Sequence, residues 1–92
     1  MAIAFLIELS DMSSEQAATV LEELGVNGKP PPGQVLHVEG PMAGGGTRVV
    51  DVWESPEVFE RFIQERLAPI MQRLGIAPPT PKAVWPVTAV LK

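Results

Sequence analysis

The hydrophobic positions along the chain repeat with two different periods, and their alternation predicts the order of the elements. Residues 2–9 (AIAFLIEL) are apolar nearly throughout, which is typical of a buried strand. Residues 34–40 (QVLHVEG) and 48–54 (RVVDVWE) have the composition and alternation of a β-hairpin joined by a loose tip. A last apolar run, residues 82–91 (KAVWPVTAVL), predicts a fourth strand, and Pro86 within it indicates an edge strand or a bulge.

The first helix is predicted over residues 14–24, where apolar side chains recur at helical spacing. Ser13 and Gln16 form a capping box that satisfies the first free N–H groups. Gly25 follows, and glycine readily adopts the left-handed conformation that ends a helix. The proline-rich segment 27–33 (NGKPPPG) then predicts a stiff loop, because proline has no N–H to donate.

The second helix is predicted to begin at the Ser55-Pro56 pair, an N-cap followed by proline at the first helical position. Its apolar stripe continues to Gly75. Pro69 lies inside this stripe and must remove one backbone hydrogen bond. We therefore expect a kink, or a split into two pieces, near residues 66–69.

The resulting order, β-α-β-β-α-β, predicts an α+β fold in a single domain covering residues 1–92. Two right-handed β-α-β crossovers give a four-stranded antiparallel sheet with both helices on one face, the ferredoxin-like plait. In this arrangement the first and third strands are central, and the second and fourth are the edges.

One sheet face is left uncovered by the helices, and strand alternation divides the side chains between the two faces. We expect the more aliphatic set to face the helices: Ile3, Phe5, Ile7, Leu9, Leu36, Val38, Val50 and Val52. The uncovered face then collects Ala4, Leu6, Glu8, Val35, His37, Glu39, Val49, Asp51 and Trp53. An apolar patch with ionisable groups inside it is typical of a dimer interface or a ligand cavity.

Any imidazole chemistry must use His37, the single histidine of the chain. Its near-neutral pKa suits it to act as a general base toward a phenol or an activated carbon acid. The alternative is an edge-strand histidine that is hydrogen-bonded to a neighbour or to water.

Asp51 lies in a predicted central strand, where charged residues are uncommon unless they are paired. With the hairpin tip near residues 42–44, His37 and Asp51 share a face if paired residue numbers sum to an even value, and Asp51 could then orient His37. Alternatively, Asp51 forms an ion pair with Arg48 of the partner subunit or with a nearby lysine. The expected pocket lining is Trp53, Val35, Val49, Leu6 and Glu39, with the Trp53 ring either walling a ligand or packing an interface.

The charge of the chain limits the classes of molecule that it is expected to bind. Eleven acidic and seven basic residues give a net charge of −4 and a pI near 4.8, which argues against nucleic acid. Cysteine is absent, so no thiolate metal site or cysteine nucleophile is present, and we expect no metal. The apolar start is interrupted by Glu8 and is too short for a membrane span, so a cytoplasmic protein without membrane contact is expected.

The element order, the acidic composition and the run VVDVWESPEVFERF resemble the dimeric α/β-barrel superfamily, which includes antibiotic-biosynthesis-type monooxygenases and stress-response barrels. The resemblance implies a homodimer whose two sheets form a barrel, with a cavity either between each sheet and its helices or between the two sheets. VWES is also similar to the tryptophan segment of heme-degrading members, but FERFIQERLAPI lacks the iron-ligating histidine that those enzymes need.

Two functions are compatible with these observations. The first is a homodimer that binds a small, aromatic or polyketide-like molecule and could act, without a cofactor, as a monooxygenase, isomerase or cyclase. His37 would then be the base, Asp51 its orienting partner and Trp53 the wall. The second is a non-catalytic stress-response or accessory barrel whose polar sheet face serves dimerisation.

Overall fold

The computed structural model describes residues 1–26 and 28–91, and its elements follow the predicted order. Its strands and helices are β1 (Ile3–Leu9), α1 (Ser14–Leu24), β2 (Gln34–Pro41), β3 (Thr47–Trp53), α2 (Pro56–Phe62), a π-helical turn (Ile63–Leu67), α3 (Ala68–Arg73) and β4 (Pro81–Pro86).

The four strands form one antiparallel sheet in the order β2-β3-β1-β4. β1 and β3 are therefore central, and β2 and β4 are the edges. The β-α-β-β-α-β order and this strand order confirm the predicted ferredoxin-like α+β fold.

Helix α1 has the predicted bounds because both of its ends are capped by local sequence. The Ser13 hydroxyl accepts a hydrogen bond from the Gln16 N–H at 3.1 Å, and the Gln16 side chain accepts one from the Ser13 N–H at 2.9 Å. Gly25 closes the helix in the left-handed conformation, with φ of 70°.

The second predicted helix is interrupted, as expected, but the interruption begins earlier than residues 66–69. In the π-helical turn the Ala68 N–H donates to the Ile63 carbonyl, five residues back. In a regular α-helix the Pro69 ring would collide with the carbonyl of Glu65, and a wider turn just before Pro69 relieves that collision. The irregularity therefore lies on the N-terminal side of the proline.

β4 is shorter than predicted and ends at Pro86, not at residue 91. Pro86 pairs with Ile3 at the start of β1, and the Val87 N–H donates to the Ala2 carbonyl at 3.0 Å. Because β1 itself begins at Ile3, the β1–β4 ladder ends at the Ile3–Pro86 pair.

The prediction of which side chains face the helices was wrong for β2 and β3. Ile3 is paired with Trp53 and Phe5 with Asp51, so these side chains share a face, whereas Leu6 is paired with Val50 on the other face. The face under the helices carries Ile3, Phe5, Ile7, Leu9, His37, Glu39, Val49, Asp51 and Trp53. The uncovered face carries Ala4, Leu6, Glu8, Leu36, Val38, Val50 and Val52.

Aromatic packing explains this orientation. Trp53 is completely buried and lies against Phe59 and Phe62, with ring centroids 5.8 and 4.9 Å away, and Phe5 stacks on Phe59 at 3.9 Å. An indole has far more apolar surface to remove from water than a valine, so covering Trp53 stabilises this orientation more. Asp51 is carried under the helices with it.

The core is divided into two hydrophobic clusters rather than one. The helix cluster consists of Met12, Ala17, Val20, Leu24, Ile70, Met71 and Ile76. The sheet cluster consists of Phe5, Ile7, Val49, Trp53 and Phe59. Leu9 and Phe62 pack against both clusters and bridge them.

Candidate ligand cavity and its polar cluster

A cavity of about 100 Å³ lies between the helix cluster and the sheet. Its apolar walls come from α1, the segments that flank it, the π-helical turn, α3 and the sheet. They include Ile7, Leu9, Met12, Ala17, Val20, Leu21, Leu24, Val26, Val49, Phe62, Leu67 and Met71. Four polar side chains also line it: Gln34, His37, Glu39 and Asp51.

β2 and β3 bring His37 and Asp51 together by their register. The two residues are direct partners in the antiparallel ladder, as an even sum of residue numbers requires. His37 Nδ1 lies 2.6 Å from Asp51 Oδ1. The expected juxtaposition of these residues is therefore present, but it lies beneath the helices and not on the uncovered face.

The other ring nitrogen of His37 is also engaged. Nε2 lies 2.7 Å from Glu39 Oε1, because residues two apart on a strand point to the same face. Asp51 uses its second oxygen as well, since Oδ2 accepts a hydrogen bond from Trp53 Nε1–H at 3.4 Å. Trp53, Asp51, His37 and Glu39 thus form one chain of hydrogen bonds, which we call the polar cluster.

The two carboxylates set the protonation state of His37. The hydrogen bond to Asp51 raises the pKa of His37 to about 9, burial opposes this rise, and the Glu39 hydrogen bond reinforces it. At neutral pH the ring is therefore an imidazolium that donates from Nδ1 to Asp51 and from Nε2 to Glu39. With both nitrogens protonated, His37 has no lone pair to act as the general base that its near-neutral reference pKa suggested.

The buried polar atoms of the cluster are all hydrogen-bonded. Its two carboxylates and one imidazolium sum to a charge of −1 (−1 −1 +1). In the described part of the chain, no buried side-chain nitrogen or oxygen lacks a hydrogen-bond partner. The carboxylates bind opposite edges of the ring and do not converge on one point, and residues 1–26 and 28–91 contain no group of three metal-ligating side chains that could hold an ion.

Arg48 does not pair with Asp51. It lies on the uncovered face, where its guanidinium binds Glu8 Oε2 at 2.6 Å, and Lys82 binds Glu8 Oε1 at 2.8 Å. These contacts lower the pKa of Glu8, with the Lys82 hydrogen bond as the largest cause. Asp51 is buried on the opposite face of the sheet from Arg48.

The remaining predicted lining residues divide between the faces. Val49 and Glu39 border the cavity, and Trp53 stands behind it as the hydrogen-bond donor to Asp51. The prediction that Leu6 lines the pocket was wrong, because its pairing with Val50 directs it to the uncovered face. The prediction that Val35 lines the pocket was also wrong. Val35 lies where the β2–β3 pairing is irregular, between Gln34 and Leu36, and Gln34 lines the cavity instead of it.

The helix residues of the wall were not predicted as site residues, although their helical spacing was recognised. Val20, Leu24, Phe62 and Met71 carry the apolar side of the cavity. Their pattern in the sequence is that of an ordinary core stripe. The bond between His37 and Glu39 was also missed, although their spacing of two on a strand is a signal that could have indicated it.

The crystal structure of a Deinococcus radiodurans protein, provisionally described as an antibiotic biosynthesis monooxygenase, superposes on this chain with a TM-score of 0.55. The match covers 100% of this chain and 97% of that chain at 12% sequence identity. The resemblance inferred from sequence is thus confirmed for the fold. No protein-family model and no curated protein matches the sequence. No helix within residues 1–26 and 28–91 is long and apolar enough to cross a membrane.

Proposed function

We propose that this protein is a small-molecule-binding α/β-barrel homodimer. Its ligand would occupy the cavity between the sheet and the helices and contact the polar cluster. The observation that supports the proposal is the cavity itself. It lies between two hydrophobic clusters, and its largely apolar wall contains ionisable side chains. Protein interiors are normally close-packed, and pockets lined by apolar groups with a few convergent polar ones are typical of ligand sites.

The size of the cavity narrows the ligand class. Its volume of about 100 Å³ is below the ~150 Å³ of an apolar cavity that binds benzene. A single ring or a short-chain molecule therefore suits this space better than a multi-ring polyketide. Met12 and Met71 line the cavity, and their flexible side chains can adjust to a slightly larger guest.

The homodimer would form through the uncovered sheet face. That face is largely aliphatic and exposes two large apolar side chains on the edge strands, Val38 at 55% and Trp85 at 43%. Contiguous apolar surface of this kind favours association. The Arg48–Glu8–Lys82 ion-pair group lies on the same face and would give it a polar border.

A catalytic role is the second candidate, favoured by the ionisable groups at the cavity. A carboxylate of the polar cluster could remove a proton from a phenol or an activated carbon acid, while protonated His37 stabilises the developing negative charge. The structural neighbour is described as a monooxygenase. In a cofactor-independent oxygenation of a phenol here, the phenol would lose its hydroxyl hydrogen and one ring hydrogen. One oxygen of dioxygen would enter the ring as the second carbonyl of a quinone, and the other would leave as water.

Ligand binding is tested by titrating the protein with toluene and with phenol while recording methyl and amide NMR spectra. We expect saturable shifts at cavity residues such as Ile7, Val20 and Met71. Replacing Val49 by phenylalanine should fill the cavity and abolish these shifts, whereas the same substitution at the exposed Val84 should leave them unchanged.

Absence of saturable binding by the wild-type protein would overturn the proposal, provided that both variants give the dispersed spectra of folded proteins. Incubating the phenol complex under dioxygen and analysing it for products distinguishes the two candidates. Binding without turnover supports the non-catalytic barrel for this compound class.

A further inference from the structure

The polar cluster differs from atom to atom in its capacity to form a further hydrogen bond with a ligand. The inference drawn from this difference rests on the proposed function. Both N–H groups of His37 and the N–H of Trp53 already donate to carboxylates. Both oxygens of Asp51 accept. Of the cluster, the second oxygen of Glu39 is the atom whose hydrogen-bonding capacity is not used by these contacts.

Glu39 is also one of two partly exposed members of the cluster. Its side chain is 23% exposed and that of His37 is 26% exposed, both on the edge strand β2, whereas that of Asp51 is 9% exposed on a central strand. Glu39 lines the cavity and can therefore contact a molecule that occupies it. The His37 Nε2–H bond fixes the position of Glu39, and the bond to Asp51 in turn fixes the position of His37.

The charge of the cluster, like its hydrogen bonding, favours a ligand that donates a hydrogen bond. A net charge of −1 at an apolar wall repels an anionic ligand and favours a molecule that brings a hydrogen to an acceptor. Gln34 is the uncharged polar side chain of the wall. It lies roughly 7 Å along the sheet from His37, because their partners Trp53 and Asp51 are two residues apart on β3, and its amide both donates and accepts, so it does not reverse this preference.

From these observations we infer that Glu39 determines ligand specificity: the cavity selects a small apolar molecule with one hydroxyl that donates to Glu39, as a phenol or an enol does. A molecule of the same shape without a donor loses this bond. An anion of the same shape is disfavoured by the charge of the cluster.

Phenol and toluene test this inference because they have the same number of non-hydrogen atoms and nearly the same shape. In a purely apolar cavity toluene binds better, since phenol must give up its hydrogen bonds to water. We expect the wild-type protein to reverse this order and bind phenol about fivefold or more tightly than toluene, as an added charge-assisted hydrogen bond requires.

The informative variant is Glu39→Gln, which keeps an oxygen to accept from His37 but presents an NH₂ donor to the ligand. The phenol preference should disappear in it, with toluene affinity nearly unchanged. Glu8→Gln is the matched control, because Glu8 is a strand carboxylate on the uncovered face. It should retain the phenol preference.

The outcomes separate this inference from the proposed function. Equal or weaker binding of phenol relative to toluene in the wild type would overturn the role of Glu39 while leaving a ligand cavity in place. An unchanged preference in Glu39→Gln would do the same. Failure of both compounds to bind would overturn the proposed function as well.

Discussion

His37 occupies an unusual position for a strand histidine, since it is held on both sides by carboxylates. Because the folded protein raises its pKa from 6.5 to about 9, the imidazolium is stabilised by folding. This contribution is fully present below pH 6.5 and is lost as the pH rises through about 9. The ring therefore acts as a charged link between β2 and β3 under neutral conditions.

The free energy of unfolding should accordingly fall at alkaline pH by an amount that depends on His37. One pKa unit corresponds to about 1.4 kcal/mol, and partial exposure of the ring screens part of the effect, so we expect a loss of about 2 kcal/mol. Urea denaturation of the wild type and of His37→Gln, between pH 6 and pH 9.5, measures it. The difference between the two proteins should shrink with pH, and parallel curves would refute the charged link.

At the residue level, the sequence left one condition open, namely whether paired residue numbers in the hairpin sum to an even value. The pairing of His37 with Asp51 depends on hairpin register alone, and the loop between β2 and β3 fixes that register. The role of His37 could not be obtained in this way, because its protonation state depends on Glu39 and on burial as well as on Asp51. The burial of His37 and its contacts with the two carboxylates exist only when the sheet and the helices are assembled.

At the scale of elements, the β2–β3 hairpin ends in a glycine tip, and Gly46 of this tip lies close to the end of β1. Gly44 and Gly46 have nearly equal φ angles, 89° and 88°. A Cβ on Gly44 would meet open space. A Cβ on Gly46 would lie 2.8 Å from both the Leu9 carbonyl oxygen and the Ser10 Cα, which are backbone atoms that cannot rotate away.

Alanine substitutions at these two glycines should therefore differ in cost. Gly44→Ala should lower the free energy of unfolding by about 1 kcal/mol, from the left-handed conformation alone. Gly46→Ala should lower it by at least about 1 kcal/mol more, because the tip must move away from the end of β1. Chemical denaturation checks both, and equal losses would show that the tip does not press against β1.

The elements themselves were largely predictable because their signals are local. The capping box fixed the start of α1, and Ser55 with Pro56 marked the start of α2. Periodicity could not identify the covered sheet face, since alternation defines two faces without ranking them. That choice was made by Trp53, which packs against Phe59 and Phe62 of α2, the next element along the chain.

At the scale of the whole molecule, the uncovered sheet face is the largest consequence of this orientation. Had the polar cluster faced outward, as first expected, dimerisation would have buried three ionisable groups. Instead the outward face is aliphatic, and a partner could cover it without desolvating the polar cluster. The dimer proposal and the cavity proposal therefore concern opposite faces of one sheet and can be tested separately.

A charge placed on the uncovered face should abolish the dimer. Val38 and Val84 are similarly exposed valines, at 55% and 50%, but Val38 lies on the uncovered face, whereas Val84 pairs with Phe5 on the other. Sedimentation equilibrium should give a dimer for the wild type and for Val84→Asp, and a monomer for Val38→Asp. A monomeric wild type, or identical behaviour of both variants, would exclude association through this face.

The divided core has a mechanical consequence. Unfolding eliminates internal void volume, so a protein that keeps a cavity between two packed clusters occupies more volume folded than its atoms require. Hydrostatic pressure acts on that excess and favours the unfolded chain. A guest that fills the space removes the excess, so occupancy would make this small protein stiffer under compression as well as more stable.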